Sequence, residues 1–201
     1  MKTRPILFNG PMVRAILDGT KTQTRRVVKF DKLHTDYGPP NPDKAWVDKS
    51  YMKAEFGEVP CLKVPFGNGQ NETTHRHFSP HGAPGDRLWV KETFFPRLNN
   101  TAAVYRADCD DPGMAAMYGG WKPSIFMPRW LSRITLEITA VRVEKLQDIS
   151  EEDAMNEGCD GPTHDGFKSY RVQYMELWQS INGPGSWESN PWVWVIQFKR
   201  T

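Results

Sequence analysis

Residues 19–26 read Gly-Thr-Lys-Thr-Gln-Thr-Arg-Arg, with three threonines and three cations in eight positions. Lys21 and Thr24 are three apart, a spacing that brings two side chains to one side of a turn or of the start of a helix. A threonine hydroxyl is a weak nucleophile until a base takes its proton. A lysine serves as that base if its pKa falls, and like charge on Arg25, Arg26 and Lys29 pushes it that way. The plain alternative is a solvated basic loop with incidental threonines. Far along the chain, Glu157 directly precedes Gly158 at the expected end of a short helix. That end of a helix disfavours a carboxylate, and a raised carboxyl pKa suits an acid catalyst. The alternative is an ordinary exposed glutamate near Glu151, Glu152 and Asp153.

Two other groupings could carry chemistry. Cys61, His75, His77 and His81 lie within 21 residues of one another. Zinc sites use such ligands, but this spacing matches no standard pattern, so no metal is expected. Trp89, Tyr105, Trp121 and Trp130 could stack on a base. Core packing is the simpler use for most of them.

These residues need elements to position them. Residues 4–8 read as a strand, and 9–19 as a helix with Pro11 at its first turn and Gly19 as its left-handed stop. Residues 30–85 are rich in Gly, Pro, Asn and Asp. They read as a long irregular insertion, with at most a short hairpin, lying over the mouth of the fold and less ordered than the rest. A strand is expected at 85–95, with 101–107 as its partner. Residues 132–146 alternate as a long strand: Ile134, Leu136, Ile138 and Ala140 share a face, and the phase then slips to Val141 and Val143. A one-residue slip suggests a β-bulge, which bends sheets. Residues 148–158 form a short helix capped by Ser150, with Asp153 resembling the second half of a capping box. A helix follows at 165–181, its stripe made of Phe167, Tyr170, Tyr174, Leu177, Trp178 and Ile181. Residues 191–200 form the last strand, with Trp192, Trp194, Ile196 and Phe198 on one face and Val193 and Val195 on the other. The sum is an α+β fold, mainly β: a small antiparallel β-barrel with short flanking helices, built as a single domain over 1–201 with the insertion at about 30–85.

The bulk composition narrows the function classes. Among 201 residues the net charge is +2, so no global basicity argues for nucleic acid, and any basic surface is local. The three cysteines, Cys61, Cys109 and Cys159, are odd in number and far apart, which suits a reduced, cytoplasmic protein. The apolar run after the N-terminal basic residues is only four long and fails as a signal peptide. No stretch approaches the roughly 20 apolar residues that span a bilayer, so no membrane partner is expected.

Gly-Thr-Lys-Thr-Gln-Thr-Arg-Arg matches the G-x-K-x-x-[ST]-x-R signature of ASCH domains, which are small PUA-like β-barrels associated with RNA. Together with "PGDRLWVKE", "PSIFMPRW", "SRITLEIT", "LQDISEEDA", "SINGPGSW" and "PWVWVIQF", the chain resembles the longer ASCH-domain proteins of bacteriophages and prophages. The likeness covers most of the chain outside roughly 30–80. It implies a PUA-like fold and a pocket for a cytidine-type nucleoside or an RNA base. One ASCH branch hydrolyses the amide of N4-acetylcytidine with a threonine nucleophile, a lysine base and a glutamate acid. By the signature these are Thr24, Lys21 and Glu157, with Arg25 and Arg26 beside the substrate and no cofactor. The long insertion and the Trp-rich C-terminal segment depart from that shorter branch. Other ASCH proteins imply instead a non-catalytic RNA-binding module or a ribonuclease. RNA is thus a possible partner, and DNA is not expected.

Overall fold

The computed structural model describes residues 1–30, 40–48, 52–53, 57–58, 60–66, 73–97, 102–109, 120–160 and 168–201. Its fold is mixed α+β and mainly β, centred on a five-stranded sheet. The strands are β1 (Thr3–Leu7), β2 (Gln23–Val27), β8 (Arg87–Lys91), β11 (Thr135–Lys145) and β12 (Trp192–Arg200), in the order β1-β8-β11-β12-β2. The β1·β8 pair is parallel and the other pairings are antiparallel. Helix α1 (Gly10–Leu17) joins β1 to β2, while α2 (Glu151–Asn156) and α3 (Tyr170–Asn182) lie between β11 and β12.

Local rules account for the ends of these elements. The Asn9 side chain caps α1 by accepting from the Met12 N–H, Pro11 occupies the first turn, and Gly19 follows at φ +79°. Ser150 caps α2 by accepting from the Asp153 N–H. The Asp153 carboxylate does not complete a capping box. It accepts from Gln23, Arg25 and Arg142.

The expected slip in the long strand is present. The register of β11 against β12 shifts between Ile138 and Ala140. Because of that shift, Ile134, Leu136 and Ile138 before it and Val141 and Val143 after it all enter one core. The last strand is buried on both faces. Trp194, Ile196 and Phe198 join that core, and Val193 and Val195 join a second one with Leu146, Ile149, Tyr174, Trp178 and Trp187 under α2 and α3. Each such apolar side chain contributes roughly 1.5–3 kcal/mol on burial.

Among the described residues the paired strands do not close into a barrel, and β1 and β2 are the sheet's edges. A side chain joins those edges instead: an Arg26 Nη2–H of β2 donates to the Leu7 carbonyl of β1 at 2.6 Å.

The reading of 30–85 as irregular needs correction. Within it, β3 (Trp46–Asp48), β6 (Cys61–Phe66) and β7 (Thr73–His77) form an antiparallel sheet, and β4 (Met52–Lys53) pairs with β5 (Gly57–Glu58). Leu62 and Val64 of β6 are fully buried in the main core, and the Trp192 indole donates to the Pro42 carbonyl at 2.9 Å. The buried apolar residues of β6, Cys61, Leu62 and Val64, form only a short cluster interrupted by Lys63, which a search for long apolar runs misses. The single strand expected over 85–95 is two: β8 pairs with β1 and β11, and only β9 (Phe94–Pro96) pairs with β10 (Ala103–Tyr105), within the expected partner segment 101–107. Among the described residues no helix is long and apolar enough to cross a membrane.

Candidate functional site

The chain reaches the site through β2, an edge strand. Alternation along β2 sends its side chains to opposite faces. Thr24 pairs with Ile196 and Arg26 with Trp194, on the side of the main core. Gln23 and Arg25 point the other way, and Arg25 lies in one cross-strand row with Val195 and Arg142. The residues just before β2 meet the end of α2. The Thr22 N–H donates to the Asn156 carbonyl at 2.9 Å, and Lys21 and Glu157 form an antiparallel bridge.

That bridge sets Lys21 against Glu157. Lys21, Thr24 and Glu157 are 2%, 2% and 3% exposed. The Lys21 ammonium donates to Glu157 Oε2 at 2.7 Å and to the Glu157 backbone carbonyl at 2.7 Å. Neither hydrogen bond goes to Thr24, and the Thr24 hydroxyl has no partner among the described residues. Burial lowers the Lys21 pKa from its ordinary value; Glu157 opposes the shift and the Arg26 charge adds to it. Sequence spacing attributed the lowering to neighbouring cations alone. Burial is the larger cause, and Arg25 is turned away toward acids.

Gly158 makes the approach possible. It has φ +86°, and a Cβ there would sit 3.0 Å from the Ala15 Cβ and 3.1 Å from the Lys21 Cβ. A side chain at 158 would therefore meet both backbone strain and the Lys21 stem.

Arg25 is committed to protein acids. Its Nη1 donates to Glu157 Oε1 at 3.0 Å, its Nη2 to Glu144 at 2.6 Å and Asp153 at 3.0 Å, and its Nε to Glu144 at 3.2 Å. Arg142 donates to two of these three acids, Glu144 at 2.9 Å and Asp153 at 2.7 Å. Each Glu157 oxygen thus accepts from a different cation. The expected substrate contact through Arg25 gives way to a bracing role, because four of its five N–H donors are already engaged. Arg26 is freer. Beyond the Leu7 carbonyl its guanidinium lies 5.2 Å from the Phe8 ring centroid.

These groups border a cleft between β2, α1 and α3. Its polar end is Thr24, Arg25, Arg26, Glu157 and Tyr174, and its apolar end includes Met12, Leu177 and Trp178. It encloses about 70 Å³, well below the roughly 300–1,000 Å³ of pockets that swallow a whole ligand.

Several participants escaped the sequence reading. Glu144 and Arg142 occupy the outward phase of β11, opposite Val141 and Val143, and that alternation was their signal. Tyr174 was visible only as one member of a helical stripe. Phe167 of that stripe lies outside the described residues.

The other candidate groupings do not converge on this cleft. Among the described residues no three His, Cys, Asp or Glu side chains are grouped to hold a metal. Cys61 is buried in β6, the His77 ring meets Phe30 edge-on at 5.4 Å, and the His75 side chain lies outside the described residues. Burial, helped by the charges of Arg26 and Arg4, pushes His81 down to about 4. Of the four aromatics, Trp130 is 64% exposed. Trp89, Tyr105 and Trp121 each lie near a guanidinium of Arg129, Arg133 or Arg106.

No model of a known protein family matches the chain, and neither does any curated protein or solved structure.

Proposed function

We propose that this chain is an ASCH-type amidohydrolase that removes the acyl group from an N4-acylated cytidine. One observation carries the reading. A fully buried lysine amine with a lowered pKa sits 2.7 Å from a buried carboxylate, and that carboxylate shares a cleft with a threonine hydroxyl that has no partner among the described residues. In water a lysine is a poor base, and burial here moves it toward the neutral form.

Neutral Lys21 takes the Thr24 hydroxyl proton, and Thr24 Oγ1 bonds to the acyl carbon. The carbonyl electron pair moves to oxygen, and Arg26 supplies positive charge to it. Proton exchange across the Lys21–Glu157 contact lets Glu157 protonate the exocyclic nitrogen as the C–N bond breaks. Water then hydrolyses the acyl-Thr24 ester, with the same pair returning the proton to Thr24. The cleft volume suits an acyl group, with the base at the mouth. Incubation with N4-acetylcytidine should release cytidine and acetate. No release by the wild-type protein, under conditions where it is folded, sinks the proposal.

The same reading gives the curled sheet a PUA-like barrel form. The bulge in β11 and the Arg26 link between the edge strands support it. Arg26→Ala should then quicken amide hydrogen exchange in residues 3–7, and unchanged exchange would count against the link.

One observation favours a second reading, an RNA-binding module without catalysis. Ile125, Phe126 and Trp130 are exposed among the exposed cations Lys122 and Arg129. Phosphate binding there would weaken steeply with salt, whereas turnover of a free nucleoside would change little.

A further inference from the structure

We infer that the Tyr174 hydroxyl is a second donor to the acyl oxygen, completing an oxyanion site with Arg26; the inference rests on the amidohydrolase reading. Tyr174 is 4% exposed, and the residues that share its cleft include Thr24, Arg26 and Glu157. Among the described residues its hydroxyl makes no hydrogen bond. The hydroxyl is not among the sealed-in unsatisfied side-chain atoms of the described residues, so it opens to the cleft it lines. It is therefore free to donate to a ligand oxygen that enters there.

The ring is held firmly enough to aim that hydroxyl. It packs against Trp178 at 6.2 Å and Trp187 at 6.5 Å between centroids, and the Arg25 guanidinium lies 5.8 Å from its centroid. Arg25 is itself fixed by Glu144, Asp153 and Glu157. Packing alone would be served equally well by phenylalanine, so the oxygen is the feature to explain. Burial first, and then the Glu157 charge, raise the phenol pKa well above its ordinary value. The group therefore stays a neutral O–H donor at any working pH. A neutral donor fixed where negative charge develops stabilises the transition state more than the ground state.

Arg25 cannot take this role, because carboxylates occupy most of its donors. Arg26 retains N–H groups beyond the one given to Leu7. The acyl oxygen would thus receive one charged and one neutral donor, and Thr24 would attack the carbon between them and the Lys21–Glu157 pair.

Tyr174→Phe isolates the oxygen. With N4-acetylcytidine as substrate, kcat should fall by about 10²–10³, the usual loss for one oxyanion donor, with KM nearly unchanged. The melting temperature should hold, because the ring packing is kept and no hydrogen bond among the described residues is lost. In a Thr24→Ala background, Tyr174→Phe should leave binding of both N4-acetylcytidine and cytidine as it was, because the donor acts on charge that develops only after attack. Unchanged kcat overturns the inference, and so does a fall in melting temperature with kcat retained, which would assign the hydroxyl a structural partner. If the wild-type protein itself releases no cytidine, the amidohydrolase reading fails and this inference falls with it. Wild-type turnover with an unaffected Tyr174→Phe variant removes the Tyr174 role alone.

Discussion

Two buried carboxylates of this molecule sit under arginines, and they are arranged to opposite ends. Glu92 accepts from Arg133 through both oxygens at 2.9 and 3.0 Å, and the same guanidinium binds Asp108 and lies 4.0 Å from the Tyr105 centroid. The Tyr105 hydroxyl donates to the Leu131 carbonyl at 2.8 Å. Every polar group of that cluster has a protein partner. Burial raises the Glu92 pKa against the pull of Arg133, and the acids outweigh burial in raising that of Arg133. Glu157 also accepts from cations on both oxygens, but one of them is a lysine whose pKa is lowered, and the two hydroxyls that share its cleft, Thr24 and Tyr174, have no partner among the described residues. Buried charge by itself therefore marks nothing. Buried charge next to uncommitted donors at a cleft is what the proposed reaction needs, and the fully satisfied cluster is a clamp.

Substitutions should split along that line. The largest effect is expected at Lys21 and Thr24. Lys21→Arg keeps the positive charge but holds its proton, so hydrolysis should fall by about 10³-fold or more, within reach of a full base-removal effect. Steady-state assays on folded variants decide it, and retained activity in Lys21→Arg would reduce Lys21 to an electrostatic contact. Thr24→Ala should abolish the acyl-enzyme step, which mass spectrometry of rapidly quenched reactions can follow.

The clamp should show the reverse behaviour. Arg133→Ala strands Glu92 in the interior, and breaking a buried pair this way costs about 3–5 kcal/mol. Denaturant unfolding should register that loss while kcat of the folded fraction stays within about twofold, a difference too small for a catalytic contact. A large kcat loss would place Arg133 in the reaction and erase the distinction between the two clusters.

Gly158→Ala probes the contact that creates the site. The positive φ disfavours alanine by roughly 1–2 kcal/mol, and the new methyl crowds the Lys21 stem. Stability should fall by that amount, and activity should fall further than stability explains. Equal activity would mean that Lys21 tolerates displacement.

The smallest effect concerns pH. A base must be neutral, so kcat/KM should decline as pH falls through the Lys21 pKa, at a pH below the ordinary lysine value. Lys21→Ala should remove that limb. Asp153 behaves oppositely in stability. Burial would raise its pKa, but Arg142, Gln23 and Arg25 outweigh burial and lower it. A carboxylate with a lowered folded pKa stabilises above its unfolded value, and that contribution is lost as pH falls through the folded one. Asp153→Asn should therefore flatten the acid limb of stability, measured by thermal melts below about pH 4. An unchanged acid limb would show that the Arg25–Arg142 bracing does not depend on Asp153.

Local chemistry was legible wherever neighbours in sequence decide it. Pro11 and Gly19 delimit α1, and Ser150 starts α2, because caps and turns act within four residues. The alternation of 132–146 contained both the strand and its bulge, since the face a residue takes depends only on its phase along the strand. The types and positions of Lys21, Thr24 and Glu157 were also readable, each odd for its place in the chain.

Tertiary structure alone decided what those residues meet. Nothing local pairs Lys21 with Glu157; a bridge between the entry to β2 and the end of α2 does so. Nothing local commits Arg25 to Glu144 and Asp153 while leaving Arg26 freer; the register of β2 on β12 and of β12 on β11 sends adjacent arginines to opposite faces. The sheet inside 30–85 and the empty-handed hydroxyl of Tyr174 belong to the same class. The physical reason is common to all of them. Burial and hydrogen-bond satisfaction are properties of a place in the fold, and two residues 136 positions apart share a place only after the chain between them has packed.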